Sequence, residues 1–231
     1  MNERQSTDLA VIFDMDGVIV DSNPAHKKAI KQFLEQHGKS VSDEYLRNEV
    51  FGRTNREWLR RTFEEISEER IEQYIQEKEQ IFRDMFAKTI KPLQGLRRFL
   101  NSLTGHQIPT AVATSAPKVN ADWVLDKTGL ADYFSVVLHE GDVTHGKPHP
   151  EMYLKAAGRL NIQPEHCVVF EDSLSGVEAA KSAGTIVFGV TTTHSRDELS
   201  RTDYVISDFT EIDYGLLVEI YKNAFNTSLL S

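Results

Sequence analysis

The sequence predicts an α/β protein, a three-layer α/β/α core on a parallel sheet, interrupted by an all-helical insert. Three observations carry that expectation. Short continuous apolar runs alternate with amphipathic segments, and such runs suit strands buried on both faces of a parallel sheet. Between residues 22 and 89 the runs stop, and charged stretches with helical spacing replace them. Four of the apolar runs lead into polar side chains, and sheets of this class bind ligands at the carboxyl ends of their strands.

Residues 9–13 read as the first strand. The insert follows, with helices expected over 25–36, 43–50, 55–65 and 68–87. Ile71, Tyr74, Ile75 and Phe82 recur at helix spacing, and such stripes are packing faces rather than cofactor boxes. Alternation then resumes with a helix over 93–103, a strand over 108–113, a helix over 119–128 and a short strand over 135–138. A helix over 150–160, a strand over 167–170, a helix over 174–182 and a strand over 185–190 continue it. An edge strand at 204–206 and a helix over 212–223 close the chain.

Bulk properties bound the function. With 231 residues, 40% apolar and 26% charged, the chain fits one large globular domain or a core with a smaller insert. No run of about 18 uncharged apolar residues is present to cross a membrane, and the polar residues 1–8 lack the apolar centre of a secretion signal. A cytoplasmic monomer is expected. A net charge of −9 argues against a broad nucleic-acid surface, so affinity for a phosphate anion must come from local cations. Cys167, the one cysteine, lies in a Val-Val-Phe run and reads as a small buried hydrophobe.

Chemistry concentrates at four places. The run Val11-Ile12-Phe13-Asp14-Met15-Asp16-Gly17-Val18 sends a strand into two carboxylates that project to the same side of an extended segment. Like charges that close are costly unless a cation lies between them, and Mg²⁺ with carboxylate and phosphate oxygens is a natural answer. A solvated acidic turn is the plainer reading. Thr114-Ser115 closes the strand at 108–113 with hydroxyls that can donate to an anion. Gly146-Lys147-Pro148 sets one cation in a loop, and Glu171-Asp172-Ser173 follows the strand at 167–170. Each has an ordinary alternative: a strand-end Thr, a loop lysine, a helix N-cap.

In order and spacing these four segments resemble the haloacid dehalogenase superfamily across essentially the whole chain, nearest to its β-phosphoglucomutase-like phosphatases. The resemblance implies a Rossmann-like catalytic core from 1–21 and 90–231, with 22–89 as a helical cap. It implies a Mg²⁺-dependent phosphatase of small phosphorylated metabolites, sugar or polyol phosphates. Asp14 is then the nucleophile that forms an aspartyl-phosphate, splitting a slow hydrolysis into two easier steps. Asp16 is the general acid and base, Thr114 a donor to the phosphoryl group, and Lys147 the cation that quenches repulsion. Asp14, Asp16 through its backbone carbonyl, Glu171 and Asp172 hold the metal.

For substrate binding the resemblance offers Ser115, His26, Arg53, Arg56 and Lys78. Gly52-Arg53-Thr54 resembles the cap specificity loop, and Arg53 and Arg56 are suited to grip a second anionic group. His26 reads equally as a surface residue, the arginines as exposed helix residues, and Lys78, inside Glu77-Lys78-Glu79, as part of a solvated face. Mutases of the family carry Lys where this chain has Phe51, and Ala-Ser-Lys after the Thr where it has Ser115-Ala116-Pro117-Lys118. Those departures favour hydrolysis over the alternative, interconversion of β-glucose 1-phosphate and glucose 6-phosphate. A non-catalytic or dehalogenase-type member is a further alternative, disfavoured by the intact Asp14, Asp16, Gly17, Lys147 and Asp172. Finally, His139, His145 and His149 lie at spacings too irregular for a four-ligand zinc site.

Overall fold

The structure, a computed structural model, describes residues 9–50 and 54–228. They divide into two compact units, one Ser22–Ile90 and the other built from the chain on either side of it.

The larger unit is a six-stranded parallel sheet: β1 Ala10–Phe13, β2 Thr110–Ala113, β3 Val136–Leu138, β4 Cys167–Glu171, β5 Ile186–Val190 and β6 Tyr204–Ile206, in the order β3-β2-β1-β4-β5-β6. That is the Rossmann-like order expected of the core. The chain steps outward from β1 through β2 to β3 and returns to build β4, β5 and β6 on the other side. The topological switch point therefore lies between β1 and β4. Val11 pairs with Thr110 and Val168, and Phe13 with Val112 and Phe170, which brings the ends of three strands level.

Strand alternation divides the core into two compositions. One face carries Ala10, Ile12, Ala111, Ala113 and Val169, covered by Met152, Tyr153, Ala156 and Ala157 of a helix over Glu151–Leu160. The other is aromatic: Phe13 stacks on Phe170 at 5.3 Å, and Phe99 and Phe209 pack against both. Cys167 is buried, and burial followed by the Glu165 charge pushes its thiol up to about 12, so the inert reading of that residue holds.

The helices, in chain order, are α1 Asn23–Gln36, α2 Asp43–Tyr45, α3 Asn55–Thr62, α4 Glu68–Phe86, α5 Leu96–Gly105, α6 Lys118–Thr128, α7 Glu151–Leu160, α8 Leu174–Ser182 and α9 Tyr214–Ser228. Several boundaries move, among them the helices expected over 55–65 and 212–223, which run Asn55–Thr62 and Tyr214–Ser228, and two other shifts have a visible local reason. The helix expected over 93–103 starts later, because the Leu93 amide donates to the Ile19 carbonyl at 2.8 Å and Gly95 turns the chain at φ +80°. The helix expected over 43–50 is α2 followed by a π-helical turn, Leu46–Val50. α1 to α4 close around Phe33, Leu34, Leu46, Trp58, Leu59 and Ile71. Among the described residues no helix is long and apolar enough to cross a membrane.

Candidate active site

The polar ends of β1, β2 and β4 stand level, and Lys147 reaches those of β1 and β4 from the loop that follows β3. Asp14 follows β1, its amide donating to the Phe170 carbonyl of β4 at 3.0 Å, so its backbone continues the ladder and its carboxylate emerges at the sheet edge. Beyond it the chain turns sharply, with the Val18, Ile19 and Val20 amides all donating to the Met15 carbonyl. Gly17 makes that turn at φ +83°, and a Cβ there would lie 2.0 Å from Oδ2 of Asp172. Only glycine meets both demands.

Lys147 Nζ lies 2.6 Å from Asp14 Oδ1 and 2.6 Å from Glu171 Oε1, with its side chain 6% exposed. Glu171 spends all its acceptors on this framework. Tyr153 Oη donates to Oε1 at 2.9 Å, and the amide and hydroxyl of Ser173 donate to Oε2 at 2.8 and 3.0 Å. Gly176, in the first turn of α8, leaves room for that carboxylate, since a Cβ would come within 1.7 Å of Oε1. Asp172 turns the other way: Thr193 donates its hydroxyl to Oδ2, and Thr192 Oγ1 donates at 2.6 Å to the Gly17 carbonyl. Thr114 is buried at the end of β2, its Oγ1 accepting the Ala116 amide at 3.0 Å, which leaves the hydroxyl proton to donate elsewhere. Ser115 beside it is exposed.

The electrostatics are unequal. Burial opposes the charge on Lys147, but Asp14 and Glu171 outweigh it and hold the ammonium well above its usual range. Burial likewise pushes Glu171 up, and Lys147 with the Ser173 and Tyr153 hydrogen bonds outweighs that, so it stays ionised below its ordinary value. Asp14 is left under-compensated. Its burial, only partly offset by Lys147 and reinforced by Glu171, Asp172 and Asp16, holds its carboxyl well above the ordinary value. Burial and the Glu171 charge push Asp172 up to about 7. Lys147 is bonded to two of these carboxylates, Asp14 and Glu171, and a group of four acidic side chains whose charges raise Asp14 and Asp172 is what a hard divalent cation with oxygen ligands would neutralise. Mg²⁺ fits this donor set.

Reading the sequence missed three participants. Thr192 and Thr193 follow β5 as Thr114 follows β2, so the same strand-end hydroxyl signal was there to find. Tyr153 carried no such signal, because its role depends on α7 turning one ring inward, where Lys147 also stands 5.0 Å over its face.

The proposed substrate residues of the helical unit form a setting of their own. Lys78 is 3% exposed, which corrects its reading as part of a solvated face. Its Nζ donates to Glu79 Oε1 at 2.7 Å and lies 3.2 Å from Nδ1 of His26, whose ring stacks on Phe82 with centroids 3.7 Å apart. Asn55 Nδ2 donates to the same Glu79 oxygen at 2.8 Å. Arg56 is committed to Glu68 and Glu72, and Arg53 lies outside the described residues.

Residues 11–190 match the family model of haloacid dehalogenase-like hydrolases. A phosphorylated carbohydrates phosphatase of Thermotoga maritima is 39% identical over 176 residues, 76% of this chain and 81% of that protein. A haloacid dehalogenase hydrolase, family IA, variant 3, from Entamoeba histolytica superposes with a TM-score of 0.85 at 30% identity, covering 93% of this chain and 99% of that one. β-Phosphoglucomutase from Clostridium difficile superposes with a TM-score of 0.81 at 25% identity, covering 94% and 98%.

Proposed function

The chain belongs to the haloacid dehalogenase-like hydrolases, and on that premise we propose that it is a Mg²⁺-dependent phosphatase of small sugar or polyol phosphates working through an aspartyl-phosphate on Asp14. The observation that carries the proposal is that the buried Lys147 is shared by Asp14 and Glu171, beside Asp16 and Asp172, at the sheet's switch point. The similarity to a phosphatase of phosphorylated carbohydrates supports the substrate class. A cytoplasmic monomer acting on a phosphorylated metabolite completes the reading.

Lys147 engages Asp14 through Oδ1, which leaves Oδ2 to attack phosphorus. As the new O–P bond forms, the ester O–P bond breaks, and Asp16 gives its proton to the departing oxygen. Asp16 then takes a proton from water, whose oxygen attacks the acyl-phosphate, releasing phosphate and restoring the Asp14 carboxylate. Thr114 and Lys147 supply donors to the transferring group, the electrostatic stabilisation on which phosphoryl transfer mainly rests. Asp14, the Asp16 carbonyl and Asp172 would be the oxygens offered to Mg²⁺; Glu171, expected from the sequence to join them, has both oxygens engaged and through Oε1 fixes Lys147 instead. When bound, Mg²⁺ adds charge compensation at the phosphoryl oxygens.

For substrate selection we keep Ser115 of the core and His26, Arg53 and Arg56 of the helical unit, which acts as a cap, whereas the buried Lys78, paired with Glu79, is assigned to structure instead. The mutase alternative draws support from the likeness to β-phosphoglucomutase. Against it, Ala116 and Pro117 stand between Ser115 and Lys118, so the lysine of the mutases is displaced along the chain to the start of α6. A panel of phosphate monoesters, assayed for phosphate release with Mg²⁺ and with EDTA, tests the proposal. Mg²⁺-restored release from sugar phosphates is expected. Release from none of them, or bisphosphate-primed isomerisation of β-glucose 1-phosphate outrunning hydrolysis, would overturn it.

A further inference from the structure

A second cluster with metal-ligand chemistry sits on the loop that carries Lys147. His145 and His149 stand two residues to either side of that lysine, Glu151 opens α7, and ligand-capable atoms of all three lie within 4.8 Å of one another. The two imidazole rings are 4.6 Å apart. His139 does not join them, since both its ring nitrogens are engaged, Nδ1 by the Gly141 amide at 3.1 Å and Nε2 by Asp142 at 3.2 Å; His149 accepts the Glu151 amide through Nδ1 at 3.2 Å, so Nε2 is its ligand atom. The histidine set weighed from the sequence is thus not the one the fold assembles, and a carboxylate that the sequence did not single out takes the third place.

Glu151 is oriented before any ion arrives. The amides of Thr144 and His145 donate to its two oxygens at 3.0 and 2.9 Å, and Lys155 Nζ donates to Oε1 at 2.6 Å. Oε2 is turned to His145, whose Nδ1 is 3.2 Å away. Outer hydrogen bonds of this kind hold metal ligands in position. Two imidazoles with one carboxylate favour zinc over magnesium, and they leave a fourth position to water. Zinc bonds of about 2.0–2.2 Å place tetrahedral donors roughly 3.4 Å apart. The cluster must therefore contract by about an ångström, which an exposed loop can do; the His145 side chain is 63% exposed.

We propose that His145, His149 and Glu151 form a zinc site separate from the acidic centre, one that ties the loop around Lys147 to the start of α7. The test is calorimetric titration of the full chain with zinc chloride in excess Mg²⁺, and it does not depend on the phosphatase reading. One zinc equivalent is expected in the wild type and in Asp14→Asn. In the His145→Gln/His149→Gln double variant its affinity should fall by more than the roughly 10–100-fold that outer partners alone carry. Both histidines are exposed, so their replacement leaves the core intact. Superimposable titrations of wild type and double variant, absence of zinc uptake by the wild type, or an equivalent lost in Asp14→Asn but kept in the double variant would each overturn the site.

Discussion

Lys147 and Lys78 are both buried, one in each unit, and they stand in opposite electrostatic settings. Lys147 faces Asp14 and Glu171 directly, with Asp16 and Asp172 close enough to raise Asp14 further. Lys78 meets Glu79, and the neighbours that tie this pair in are the neutral amide of Asn55 and the ring of His26. The first cluster is short of positive charge and invites a cation and then an anionic substrate. The second is a matched pair. A buried pair fully satisfied by hydrogen bonds holds structure, whereas a buried surplus of one sign costs stability and is kept where chemistry needs it.

The largest difference should appear on removing a charge for function. Asp16→Asn is expected to lower kcat by about 10² to 10⁴-fold, the usual range for a general acid–base group, with the fold unchanged by circular dichroism. Lys78→Met should instead lower stability, by about 3–5 kcal/mol in urea denaturation, because it removes the ammonium bonded to the buried Glu79 carboxylate; replacing both partners by apolar residues should recover most of that loss. Activity surviving Asp16→Asn, or unchanged stability in Lys78→Met, would break the comparison.

Tyr153→Phe keeps the ring beside Lys147 and deletes the donor to Glu171. Losing one hydrogen bond to a charged group costs about 1.5–3 kcal/mol, and because that bond orients the lysine, it should appear mainly in kcat with KM little changed. An equal rise in KM would assign Tyr153 to substrate binding instead.

Smaller but opposite in sign is the pH response of metal-free protein. Asp14 and Asp172 have raised carboxyl values, so between the ordinary carboxylate range and about 7 the native state binds more protons than the unfolded chain. Stability must then fall as pH rises through that window. Glu171, held low, contributes stability above its ordinary value that is lost in acid. The Tm without metal is therefore expected to peak at mildly acidic pH and decline toward pH 7, with Mg²⁺ reversing the decline. Asp172→Asn, which removes surplus charge, should raise the metal-free Tm, while Glu79→Gln should lower the Tm. Calorimetric scans at pH 5 and pH 7.5 read both.

The sequence made one cluster legible and hid the other for a physical reason. Asp14, Asp16, Thr114, Glu171 and Asp172 each sit at the end of an apolar strand, so a local pattern marks them, and Lys147 is marked by its Gly-Lys-Pro loop; a parallel sheet does the rest. The strands over 204–206 and the helix over 174–182 were legible in the same way. Lys78 and Glu79 lie in a run of charges that looks solvated, and their burial follows from how α4 packs against α1 and α3, which no local window contains. Tyr153 was hidden likewise, and so was Glu151 as a neighbour of His145, since both relations depend on α7 folding back on a loop. The π-helical turn at Leu46–Val50 has no composition signal that separates it from an ordinary helix.

The most direct test of the account is to trap the covalent intermediate. Wild type and Asp14→Asn would be mixed with a ³²P-labelled sugar phosphate and Mg²⁺, quenched in acid within one turnover, and the label located by peptide mapping. Label is expected on Asp14 in the wild type, released by water on further incubation, and none in Asp14→Asn, whose amide cannot form an acyl-phosphate. Label on another residue, or turnover persisting in Asp14→Asn, would contradict it.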